Sequence, residues 1–214
     1  MKRFLLVLSS PSGGGKTTIA RALLGARADV GYSISATTRP KRRSEEDDRD
    51  YHFLSRDEFI RRRDGGDFLE WAEYGGHLYG TLEEEVDRIL RSSRHALLDI
   101  EIQGARQIRQ RRLDVVSIFI LPPSAEVLLE RLGARDSDAP EDLHHRLTRA
   151  VEELREATAY DYLVVNDDRE TAVSAVAAIL DAESHRPRRV DDLEQRLAQI
   201  GRDLQEAAAT LAAE

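Results

Sequence analysis

Cysteine is missing from all 214 positions of the chain. That excludes disulfides, thiolate nucleophiles and cysteine-ligated metals. Lysine is almost missing too: only Lys2, Lys16 and Lys41 stand among 32 basic residues, and the rest are arginine. Base composition accounts for most of that skew, and it makes a lysine retained in a glycine-rich turn more pointed. No apolar run is long enough to span a bilayer, and no secretory signal precedes the first apolar segment. These absences predict a cytoplasmic protein with no membrane partner. The net charge of −8 argues against a general nucleic-acid binder. What is present, 41% hydrophobic residues with few aromatics, suits one α/β domain carrying an insertion or a tail.

The segment Leu8-Ser9-Ser10-Pro11-Ser12-Gly13-Gly14-Gly15-Lys16-Thr17-Thr18 is the strongest chemical signal. It follows the apolar run Phe4–Leu8 and precedes a helical pattern over Ile19–Leu24. Strand, glycine-rich turn and helix start make a phosphate cradle, in which backbone N–H groups and the helix N-terminus converge on a polyphosphate. Ser12, Gly13, Gly14, Gly15, Lys16, Thr17 and Thr18 are the predicted ATP contacts. Lys16 reaches the β/γ-phosphates and the Thr17 hydroxyl ligates Mg²⁺. Ser10 stands where the strict pattern has glycine, so the turn must avoid positive φ there or tolerate a small Cβ.

Further apolar runs at Ala96–Ile100, Val115–Leu121 and Tyr162–Val165 read, with the first, as fully buried strands of a parallel sheet. Helical patterns over Leu82–Leu90, Ala125–Leu132, Leu143–Thr158 and Thr171–Leu180 separate them. The alternation predicts a doubly wound α/β fold. Ser33 to Tyr79 breaks the rhythm with short extended pieces, a basic cluster (Arg39, Lys41, Arg42, Arg43) and an acidic run, Glu45–Asp48, read as a solvated loop face. This segment is expected to be an inserted lobe. Gly133 to Glu141 is expected to be a mobile flap. Beyond His185, apolar residues recur at alternating spacings of three and four from Val190 to Leu211. That heptad seam fits either a helix packed back on the core or a coiled-coil contact with a second copy.

Several ordered motifs resemble the guanylate kinase family. They are Ser35-Ala36-Thr37-Thr38-Arg39-Pro40-Lys41-Arg42, Asp50-Tyr51-His52-Phe53, Phe68-Leu69-Glu70-Trp71, Tyr79-Gly80-Thr81, Leu98-Asp99-Ile100-Glu101-Ile102-Gln103-Gly104 on the following strand, Pro122-Pro123-Ser124 and Val165-Asn166-Asp167-Asp168. The resemblance runs from the first strand to about Leu180. It implies a P-loop nucleoside monophosphate kinase fold, with a core over 1–32 and 82–184, a GMP-binding lobe over 33–81, a lid over about 133–146 and a helical tail over 185–214. It also implies Mg²⁺-dependent transfer of the γ-phosphoryl of ATP to GMP, giving ADP and GDP.

The resemblance assigns GMP binding to Ser35, Arg39, Arg42, Tyr51, Glu70, Tyr79, Thr81 and Asp99. Arg39 and Arg42 are forked donors suited to a terminal phosphate, and the two tyrosines offer phenolic donors to it. Glu70 is the expected specificity residue: a carboxylate accepts from guanine N1–H and the exocyclic amine together, whereas adenine presents a lone pair. Asp99 ends its strand where α/β sheets place ligands. It can hold a Mg²⁺-bound water or contact the acceptor, and the resemblance implies at least the second. Lys16, Arg131, Arg135 and Arg146 are the implied catalytic cations, and Asn166 borders the donor adenine. Glu101 stands where the family often has Asp, and Ser44 and Asp48 replace glycines common in its acceptor loop. Two other readings stay open: a P-loop phosphotransferase with a different phosphorylated acceptor, or a non-catalytic guanylate-kinase-like binding module.

Overall fold

The computed structural model describes residues 1–92, 94–111, 114–133 and 140–212, without the side chains of 140–143 and 145. Five strands form the main sheet: β1 (Leu5–Ser9), β2 (Val30–Tyr32), and three later ones. Between β1 and β2 runs α1 (Lys16–Ala26), and after β2 the chain leaves for a second sheet. That sheet holds β3 (Ala36–Thr37), β4 (His52–Phe53), β5 (Phe68–Tyr74) and β6 (His77–Leu82), with α2 (Arg56–Gly65) packed beside it. The chain then returns through α3 (Glu83–Arg91), β7 (His95–Asp99), α4 (Ile102–Gln110), β8 (Val115–Leu121), α5 (Ala125–Gly133), α6 (Pro140–Arg155), β9 (Tyr162–Val165) and α7 (Arg169–Ser184). A last helix, α8 (Leu193–Ala212), follows a short 3₁₀ turn at Pro187–Arg189.

The main sheet has the order β2-β7-β1-β8-β9 and every pairing in it is parallel. Its aliphatic side chains fill both faces. Leu6, Leu8, Ile118 and Ile120 point to the side of α1 and α7, while Leu5, Val7, Leu98 and Phe119 point to the side of α3 and α4. Burial on both faces explains why β1, β7 and β8 read as continuous apolar runs. The edge strand β9 departs from that expectation: Val164 is buried, but Leu163 and Val165 are 49% and 45% exposed. Leu163 and Val165 share one face of β9, which stays partly open to solvent, while Val164 on the other packs against α7.

The second sheet has the order β4-β3-β6-β5 and mixes directions: β3 is parallel to β4 and antiparallel to β6, and β6 is antiparallel to β5. Its own small core gathers Ala36, Phe59, Phe68, Leu78 and Leu82. The sequence carries 98–104 as one strand motif. The structure ends that strand at Asp99 and opens α4 at Ile102. This helix joins the two sheets, because the Gln107 amide donates to the Trp71 carbonyl at 2.6 Å and accepts from the Trp71 N–H at 3.2 Å. One side chain thus satisfies both backbone groups of a strand residue.

The parallel order places β1 between β7 and β8, so chain connections diverge on either side of it. Ligands of such sheets sit in the crevice at that divergence, beyond the carboxyl ends of the strands. The phosphate loop after β1 and Asp99 at the end of β7 both lie there. At the opposite end, Arg189 is fully buried over the Phe4 ring (4.1 Å) and paired with Asp114 (2.7 Å) and Glu183. The knot fixes the root of α8 to the sheet.

Candidate active site

The loop between β1 and α1 turns through Gly13 and Gly15 at φ of 82° and 92°, and Gly15 caps the helix. Ser10 does not adopt a positive φ. Its Oγ donates to the Pro11 carbonyl at 2.9 Å, and its Cβ lies 2.7 Å from where a Cβ on residue 14 would stand. A side chain at position 10 is therefore accommodated because position 14 has none. Asn166 reaches in from beyond β9 and donates its amide to the Gly14 carbonyl at 2.9 Å. In this arrangement it braces the loop itself.

Lys16 Nζ lies 2.9 Å from Asp99 Oδ1 and 3.3 Å from Glu101 Oε1. Burial works against the ammonium, but Glu101 and Asp99 outweigh it and hold the group above the ordinary lysine value. Lys16 is thus cationic across the physiological range. The Thr17 hydroxyl donates to Asp99 Oδ2 at 2.8 Å. A hydroxyl and a carboxylate so placed are hard oxygen donors, which fits a Mg²⁺ arriving with nucleotide phosphates. Among the described residues no group of three or more His, Asp or Glu could hold a metal by itself.

These residues open on a cleft of about 960 Å³ that also contains Ser35, Arg42, Tyr51, Glu70 and Tyr79. Glu70 is only 4% exposed, and burial, eased by the Thr81 hydrogen bond, pushes its carboxyl up to about 7. Thr81, equally buried on β6, donates its hydroxyl to Glu70 Oε1 at 2.7 Å. The other carboxylate oxygen lies over the first turn of α4, 2.2 Å from where a Cβ on Gly104 would stand. Any side chain at 104 would displace Glu70.

The acidic run of the acceptor loop is not simply a solvated face. Glu45 accepts from the Arg39 guanidinium at 2.7 Å and from the Arg42 N–H at 2.8 Å, so it shapes the basic loop. Arg39 is further placed over the Tyr51 ring at 5.4 Å, and the Tyr51 and Tyr79 rings meet edge-on at 6.1 Å. Asp48 takes φ of 60°, a conformation that Asp tolerates better than most side chains, and its N–H donates to the Tyr51 carbonyl. The glycine expected there is thus replaced by a residue that keeps the turn.

Of the candidate catalytic arginines, Arg131 donates to the Asn166 carbonyl at 3.4 Å, and Nη1 lies 3.8 Å from the Cβ position of Gly15. Arg146 donates to the Leu132 carbonyl at 3.3 Å, tying α6 to α5. Arg135, with the rest of 134–139 in the expected lid, lies outside the described residues. Thr18 sits exposed in the first turn of α1. Two residues of α6 escaped the sequence reading. Glu153, 7% exposed, accepts from the Ser12 N–H of the phosphate loop at 3.1 Å. Arg149 donates to Glu153 at 2.7 Å, lies 3.9 Å from Glu101 and sits 4.2 Å over the Tyr74 ring of β5. Their spacing of four was the available signal, since it places both on one face of α6.

Comparison with known proteins fits this geometry. The family model described as guanylate kinase matches residues 2–183. The chain belongs to the guanylate kinase family. A guanylate kinase of Symbiobacterium thermophilum is 45% identical over 185 residues, covering 86% of this chain and 88% of the relative. One from Chelativorans sp. is 47% identical over 195 residues, covering 91% and 89%. The crystal structure of guanylate kinase from Anaplasma phagocytophilum superimposes with a TM-score of 0.76 at 35% identity, covering 92% of this chain and 95% of that one. Membership makes this chain a nucleotide kinase of the P-loop class. No helix among the described residues is long and apolar enough to cross a membrane.

Proposed function

We propose that this guanylate kinase family member transfers the γ-phosphoryl of ATP to GMP, Mg²⁺-dependently and without a covalent enzyme intermediate. The observation that carries the reading is the single cleft shared by Lys16 and Thr17 on one side and by Glu70, Arg42 and Tyr79 on the other. The same division of labour assigns the donor core to 1–32 and 82–184, the acceptor lobe to 33–81, the lid to about 133–146 and the tail to 185–214. We assign it to the cytoplasm, acting on ATP and GMP rather than on nucleic acid.

Ionised Glu70 accepts from guanine N1–H and the exocyclic amine, with Thr81 and Ser35 beside it. Arg39, Arg42, Tyr51 and Tyr79 hold the GMP phosphate, preformed by Glu45, and Asp99 contacts the acceptor from the end of β7. A GMP phosphate oxygen attacks the γ-phosphorus in line, the bond to the β–γ bridging oxygen breaks, and ADP departs. The attacking oxygen is already ionised, so no general base is needed. Lys16, with Arg131, Arg135 and Arg146, stabilises the charge spread over the equatorial oxygens. Bound Mg²⁺, held by Thr17 and through water by Asp99, would supply further charge neutralisation on the ATP phosphates. Asn166 and Glu153 keep the loop N–H groups in shape, and lobe closure excludes water.

Lys16→Ala tests the division between donor and acceptor sites. GMP-dependent ATP consumption should fall by about 10³-fold or more, while calorimetry should find GMP affinity nearly unchanged. Equal losses of rate and of GMP affinity would contradict that division. A wild-type chain that binds GMP without turnover would instead make it a binding module.

A further inference from the structure

The apolar seam of α8 is not covered by the other described residues. Leu197, Ile200, Leu204 and Leu211 are 58%, 54%, 66% and 73% exposed, so the helix does not pack back on the core. A 20-residue helix spans about 30 Å and is marginal without a partner. Its root is nevertheless fixed, because Arg189 is buried against Phe4, Asp114 and Glu183, and the chain's amino terminus pairs with Asp191. The helix is thus held out from the body with its seam open.

We propose that α8 pairs with α8 of a second copy, antiparallel, about a twofold axis between Ala198 and Gln199. Within α8, heptad positions a hold Leu197, Leu204 and Leu211, and positions d hold Leu193, Ile200 and Ala207; Val190 lies before the helix, ahead of Asp192 at φ of 53°. The charges beside the seam choose the arrangement. Arg196 and Asp203 both fall at position g. In the antiparallel register that sets Leu197 opposite Ile200, each Arg196 meets Asp203 of the second copy, twice by symmetry. Shifting that register by one heptad sets Asp203 against Asp203. A parallel pair leaves Arg196 facing Gly201 and Asp203 facing Ala208, and stacks Ala207 on Ala207 with little to bury. The first register opposes Leu193 with Leu204 and Leu197 with Ile200, so the bulky seam residues meet one another and each Ala207 lies past the start of the other helix. It also brings the alanine-rich end of each helix, 207–209, beside the 187–190 turn of the other copy, where small side chains permit close approach. The antiparallel helix macrodipoles add to the attraction.

Sedimentation of the full chain tests the pairing. The expected result is twice the chain mass at micromolar concentration, reverting to one chain for Leu197→Glu. Arg196→Asp should weaken the dimer by about tenfold, and the double variant Arg196→Asp with Asp203→Arg should restore it. Orientation is read separately by thiol cross-linking, which is clean because the chain has no cysteine. A mixture of Leu193→Cys and Leu204→Cys chains should give the mixed disulfide, and neither variant alone should cross-link. Disulfides within either variant alone would overturn the antiparallel pairing. A wild-type monomer would overturn the proposal outright, leaving the seam to another partner or to its own body, and so would a dimer that survives Leu197→Glu.

Discussion

At the scale of single residues, Glu70 is where burial and chemistry meet. A carboxylate enclosed by β6 and the first turn of α4 is held up to about 7, chiefly by loss of solvent, with Thr81 partly compensating. Guanine donors favour the ionised form, so GMP binding lowers this pKa and must release a proton. The sign follows directly: below pH 7 the free site is protonated and GMP affinity falls, by up to about tenfold per pH unit, and above pH 7 it levels off. Calorimetry at pH 7 in two buffers of different ionisation enthalpy should find about half a proton released per GMP. Glu70→Gln should remove that release, which separates it from titration of the GMP phosphate. Proton release persisting in the Gln variant would assign it elsewhere. The raised pKa of Glu70 was not legible in the sequence, because it comes from burial between β6 and α4, where Gly104, 34 positions away, leaves room for the side chain. The accommodation of Ser10 by Gly14 is a contact of the same kind, though its partners sit within one loop.

At the scale of elements, β1, β7 and β8 were legible because burial on both faces leaves an unbroken aliphatic run, and α1 because its apolar helical pattern follows the glycine-rich turn. β2, α2 and α4 were not, and α8 was so only in part. β2 is three residues long, too short for any period to register. α4 starts three positions after β7 ends, and its short apolar face of Ile102, Ala105 and Ile108 is set among glutamines and arginines. α8 was legible as a helix but not in its placement, since a seam of this kind serves a core and a partner equally. α6 carries the consequence with the most bearing on catalysis. Through Arg149 it touches the phosphate loop by way of Glu153, the end of β7 near Glu101, and β5 at Tyr74. Arg149 is 39% exposed on its side chain, so its pairings are screened and add little to stability. Its effect should instead be on positioning. Arg149→Ala should lower kcat/KM by about five- to tenfold and leave the thermal midpoint nearly unchanged. A large fall in the midpoint with normal kcat/KM would make Arg149 a structural residue only.

At the scale of the whole molecule, two sheets of different construction face one cleft. On the proposed reading the parallel sheet is the donor floor, since the phosphate loop emerges where its connections diverge. The mixed sheet supplies the recognition wall, and the Gln107 amide on α4 stitches it to that floor. Guanine recognition and phosphoryl transfer are therefore separable by substitution, although they share a cavity. That separation is the central claim, and the acceptor preference of Glu70→Gln tests it most directly. A glutamine amide offers guanine one acceptor in place of two and suits adenine better. With kcat/KM measured for GMP and for AMP, the ratio should fall by about a hundredfold or more relative to the unaltered chain, with Mg²⁺-dependent transfer itself retained; an unchanged ratio would contradict the account.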